Sequence, residues 1–178
     1  PLTLILAMVL VTVLNTAIPT PISAAVTQRG TATTGTTTST SLTISKPAGV
    51  VAGDVMLVNI AQVGNNSTNP TSTGWTAVAG ANLGGNPKSR GSVLYRVADG
   101  TEGASFVFTL ANGTNGAVGS MVAFSGVDTS GATPFDVTPG TILTGNGTAV
   151  GATTITTASA NAAVIMFGMA SNGAPTWS

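Results

Sequence analysis

Asp99 and Glu102 stand three residues apart in ADGTEG, closer together than any other two acids in the chain. Two carboxylates at that spacing could share proton-transfer work. They could also join loop carbonyls around Ca2+, a hard cation that takes oxygen ligands. A glycosidase needs its two carboxyls on either side of a cleft. Both of these acids sit in one tight turn, so a solvated corner is the plainer expectation. Asp128 in GVDTSG and Asp136 in PFDV form a second candidate pair for Ca2+, although the EF-hand spacing is absent. Each also suits a turn in which a carboxylate accepts hydrogen bonds from its own neighbouring backbone, and Asp54 after Gly53 reads the same way.

Trp75, Tyr95 and Trp177 are the candidates for stacking against a sugar ring. Aromatic residues make up only 4% of the chain, and isolated aromatics more often fill a core. Lys88 and Arg90 share the loop GNPKSRG, either as a solvated pair or as a contact for an anion. The triplets NNS and NGT match the N-glycosylation acceptor. Their number is what so much Asn, Gly and Thr produces by chance.

What the chain lacks narrows its chemistry. It has no His and no Cys. A Ser-His-Asp triad, an imidazole base, a thiolate nucleophile and the usual zinc ligands are therefore all excluded. Only 6% of the 178 residues are charged, and the formal net charge is zero, so there is no basic footprint for nucleic acid. Hydroxyls and amides must solubilise the surface, a composition typical of exported β-proteins. The chemistry therefore points away from an enzyme, with no resident cofactor apart from the Ca2+ considered above.

The elements that must position these residues are extended. SLTIS (41–45) alternates Leu42 and Ile44 on one face. DVMLVNIAQV (54–63) is a nearly continuous apolar run, expected of a strand covered on both faces. GWTAVAG (74–80), SVLYRVA (92–98), SFVFTL (105–110) and AVGSMVAFSG (117–126) follow, separated by Gly, Asn and Pro punctuation. TAVGATTITTA (148–158) and AAVIMFGMA (162–170) complete about eight or nine predicted strands, with no amphipathic helix beyond residue 25. Short, evenly spaced strands predict an all-β, antiparallel β-sandwich, with a jelly roll as the specific expectation. The Thr-rich stretch TQRGTATTGTTTSTS is read, within 26–40, as a linker or an edge strand. The sandwich domain is expected over 41–178.

The beginning of the chain is different. Leu2–Leu14 is apolar apart from Thr3 and Thr12, and Pro19 and Pro21 follow. About 20 apolar residues are needed to span a bilayer as a helix, so the run is short for an anchor and fits the h-region of a signal peptide. Residues 1–25 are read as that signal-like segment, a short hydrophobic N-terminal helix. Ser23-Ala24-Ala25 places small residues for cleavage between Ala25 and Val26. Two other readings stand beside it: the retained spine of a pilus-like filament subunit, and a buried strand or membrane anchor. The absence of a basic n-region and of an initiating Met suggests a cut N-terminus. The expected localisation is secreted or cell-surface, with membrane contact only through this segment.

Two stretches about 100 residues apart share an order of features: a polar Thr-rich strand, an apolar strand, an Asn/Gly loop and a Trp. One is TSLTIS through Trp75, and the other is TTITTA through Trp177. Chance in a narrow composition is the competing explanation. If the repeat is real, the chain stops inside its second pattern. The segments KPAGVVAGDVMLVNIA, GWTAV, SVLYRVADGTE and VAFSGVDTSGATPFDV resemble a β-sandwich module of bacterial exported and cell-surface proteins, also found in some phage structural proteins. The resemblance spans about 41–177, and its motifs are structural. It implies a β-sandwich, often repeated, within a larger exported or virion protein, and it transfers no catalytic residue. The expected role is structural or adhesive, and the alternatives are a carbohydrate-binding module and the filament subunit. The expected partners are other domains of the same protein, neighbouring subunits or a polysaccharide.

Overall fold

A computed structural model describes residues 25–64, 68–83, 88–111, 114–145 and 151–169. The described chain is all-β, with eight strands in two antiparallel sheets and no helix among the described residues. The strands are β1 (Thr27–Gln28), β2 (Thr33–Thr37), β3 (Ser41–Ser45), β4 (Val55–Gly64), β5 (Thr76–Leu83), β6 (Ser89–Val97), β7 (Ser105–Thr109) and β8 (Thr114–Ser125). The large sheet runs β1-β8-β4-β6-β5, with β2 also pairing β8, and the small sheet is β3-β7. The expected N-terminal helix falls on residues outside those described. Ala25, on one side of the expected cleavage point, is exposed, and Val26 is half-buried.

Side-chain alternation makes the two layers. In β3 and β7 every second residue is buried, so Leu42, Ile44, Phe106 and Phe108 face inward while Thr43 and Val107 face outward. Leu42 lies opposite Phe108, and Ile44 opposite Phe106. The large sheet answers with Met56, Val58 and Ile60 from β4, Leu94 from β6, and Met121 and Ala123 from β8, all in one buried cluster. Burying a side chain of this size contributes about 1.5–3 kcal/mol. β4 is central, paired with β6 on one side and β8 on the other. Its first residues are buried on both faces, Val55 and Leu57 included, as the apolar run led one to expect.

The Thr-rich stretch contributes β1 and β2, which close the β8 edge of the large sheet. Between them and the core, Gly30 adopts φ +65, and a Cβ there would collide with the Ala48 carbonyl. That position tolerates only glycine.

The expected strands at 148–158 and 162–170 are not found in the part of them that is described, 151–169. The described residues of 126–169 instead lie across the outer face of the large sheet. There Phe135 packs edge-on against Tyr95 at 5.1 Å. Met169 sits so close to β6 that a Cβ on Gly91 would lie 2.8 Å from its methyl carbon. A segment lying over a face cannot join a ladder, because strands pair edge to edge about 4.8 Å apart whereas stacked layers are about 10 Å apart. The jelly-roll expectation is altered for the same reason: the described strands divide six and two rather than into two sheets of similar size.

Candidate functional site

Arg96 gathers the two acids singled out by spacing. It comes from the end of β6, and Asp99 and Glu102 lie in the turn beyond. Its Nη2 donates to Asp99 Oδ2 at 2.9 Å and its Nε to Glu102 Oε1 at 3.3 Å. Glu102 also accepts the Asp99 and Gly100 backbone N–H groups, and Asp99 accepts the backbone N–H and the hydroxyl of Thr101. Bonds from Thr101 hold the Asp99 carboxyl below its ordinary range. Burial pushes Glu102 upward, but bonds from backbone N–H groups outweigh it, and the net direction is down. Both groups thus remain carboxylates at neutral pH, turned onto the loop itself. The guanidinium also lies 5.7 Å above the Phe106 ring, and its Nη1 donates to the Thr73 carbonyl. The turn is thereby locked to the core edge.

Asp128 and Asp136 are each engaged by backbone amides. Asp128 Oδ1 accepts the Ser130 N–H at 2.9 Å, the expected turn, and that bond lowers its pKa. Asp136 reaches 22 residues along the chain to the Ala158 N–H, and it also accepts the Ser159 N–H at 3.2 Å. Its pKa is lowered by the Ser159 side chain first and by these two amides next. Among the described residues no three acids converge where a metal could be held. At the Asp99–Glu102 corner, where two acids do meet, an arginine already occupies the position a cation would need. The geometry of the described residues thus gives no support to the expectation of Ca2+ at Asp99, Glu102, Asp128 and Asp136.

The aromatic candidates are separated. Trp75 packs edge-on against Phe106 and Phe108, with ring centroids at 5.1 and 5.2 Å, on the core side of the large sheet. Its indole nitrogen is buried without a hydrogen-bond partner. Tyr95 is opposite Leu57 in the ladder and points to the other face. The two do not form one platform, and Trp177 lies outside the described residues. Tyr95 instead lines an open groove of about 580 Å³ with Thr76, Thr133, Phe135, Asp136 and Thr138.

Two side chains do more than the sequence reading gives them. Asp54, only 3% exposed, accepts the Val51 N–H, as expected of a residue starting a strand. It also forms a two-pronged ion pair with Arg29, at 2.9 and 3.2 Å, which raises the pKa of Arg29. Gln62 is fully buried. Its side chain donates to the Thr68 carbonyl and accepts the Ala111 N–H, tying two loops to β4. A lone Gln inside the apolar run of β4 was the available signal. For Asp54, the partner 25 residues upstream left none.

Comparison with known proteins adds no assignment: no family model, no curated protein and no solved structure matches this chain.

Proposed function

We propose that this chain is a non-catalytic structural or adhesive β-module of an exported protein. The observation that carries the reading is the use to which the acids are put. Each of the five carboxylates accepts hydrogen bonds from backbone amides, and three of them also pair with an arginine. With no His or Cys in the chain, carboxylates engaged in this way support a non-catalytic role. The nearly uncharged exterior and the signal-like residues 1–25 support export. Cell fractionation with mass spectrometry of the mature N-terminus tests this. An extracellular chain beginning at Val26 is expected. A cytoplasmic chain, or one that hydrolyses a glycan or peptide, would contradict it.

The groove at Tyr95 favours a second reading, carbohydrate binding, with one aromatic face, hydroxyls and the Asp136 carboxylate lining an open surface. Tyr95→Ala should then abolish retardation by a polysaccharide in affinity electrophoresis. Retardation unchanged by that substitution would remove the groove from consideration.

A further inference from the structure

We propose that copies of this chain associate head to tail, with the end that carries Lys88 and Arg90 docking on the carboxylate-rich end of the next copy. The proposal rests on the structural-module reading and identifies the partner as a second copy of the chain.

Every charged side chain lies in the described residues, because 1–24, 65–67, 84–87, 112–113, 146–150 and 170–178 contain none. The charges separate along the strand direction. Lys88 immediately precedes β6 and Asp99 lies just past its other end, so nine strand residues stand between them, about 3.3 Å each. Asp54 precedes β4, whose Val55 pairs with Val97 at the Asp99 end. Asp128 follows β8, whose Phe124 pairs with Val55 at that same end. Asp136 lines the groove beside Thr76 and Tyr95, which pair with each other near it. All five acids therefore share one end. Arg29, Lys46 and Arg96 are also there, through the two arginine clusters and the Lys46 bond to the Glu102 carbonyl, which leaves that end with a net charge of −2.

The opposite end carries Lys88 and Arg90 alone, a net charge of +2. Neither belongs to an ion pair among the described residues. Arg90 is held in place by neutral acceptors, with Nε and Nη2 on Asn69 Oδ1 at 2.9 and 2.7 Å and Nη1 on Asn82 Oδ1 at 3.1 Å. A guanidinium fixed by amide oxygens keeps its charge uncompensated and oriented. At the other end Asp128 and Asp136 are exposed, and neither is paired with a cation. Like ends repel and unlike ends attract, so the contact is heterologous. Such a contact generates rings where the rotation between copies closes and open rows where it does not. In a chain whose remaining surface is almost uncharged, these two ends are the strongest fields available to orient a neighbour.

Sedimentation velocity of the full chain tests this at about 0.01 M and about 1 M salt, between which the screening length falls from about 30 Å to about 3 Å. Oligomers at low salt that weaken at least tenfold at high salt are expected. Lys88→Glu and Asp128→Lys, both at exposed positions, should each weaken low-salt association at least fivefold. An equimolar mixture of the two variants should recover pairwise association, because the intact acidic end of the Lys88→Glu chain then meets the intact basic end of the Asp128→Lys chain. Four results would overturn the proposal: a monomer at low salt, association that strengthens with salt, indifference to both substitutions, or a mixture that does not recover. Any of these leaves the module reading standing, since that reading is decided by location and by hydrolysis.

Discussion

Replacing Gln62 by leucine is expected to destabilise the protein by about 1–3 kcal/mol in urea unfolding, although leucine is the more apolar residue. The side chain is fully buried, and it supplies both a donor to the Thr68 carbonyl and an acceptor to the Ala111 N–H. Leucine supplies neither, and buried backbone groups that lose a partner are costly. Asp54→Ala should cost about 2 kcal/mol by the same logic, since it removes the acceptor of the Val51 N–H and the partner of Arg29. Asp54→Asn, which keeps an oxygen for Val51, should cost less. An alanine scan that finds both sites neutral would mean that these bonds do not persist in solution. Of these interactions, only the Asp54–Val51 turn was legible in the sequence, because it closes within three residues. The arginine partner depends on how β1 returns to the sheet, which no local pattern encodes.

Legibility at the scale of elements followed alternation. β3 and β7 were readable because each has two apolar residues on one face and small polar or β-branched residues on the other. β4 was readable as a doubly covered strand because Val55 through Val58 are apolar without a break. The segment 151–169 has a comparable composition and forms no strand. Composition reports that a segment can be extended, whereas a ladder also needs a free edge beside it. This segment runs over a face, where Asp136 holds it through the amides of Ala158 and Ser159. Val164 is 63% exposed and Met166 55%, so it is only half covered. A segment with few ladder bonds and exposed apolar side chains should open first. Thermolysin is therefore expected to cut within 151–166 before it cuts any strand, and Asp136→Ala should speed that cut. First cuts within β4 or β8 would contradict this arrangement.

Across the whole molecule, the absence of His and Cys leaves no side chain with an ordinary pKa between those of the carboxylates and tyrosine. Asp99, Glu102, Asp128 and Asp136 all have lowered pKa values in the folded chain. A lowered folded pKa contributes stability above the unfolded value, and that contribution is lost as pH falls through the folded one. The melting temperature should therefore be flat from about pH 5.5 to 8 and fall below about pH 4. The same four carboxylates decide whether the chain has chemistry to perform, since a general acid working near neutral pH needs a raised pKa. Carboxyl-carbon NMR titration of the intact protein measures them directly. All four are expected to titrate below the usual values for their residue types. A single one titrating above about pH 6 would place a proton donor where none is expected and would contradict the non-catalytic reading.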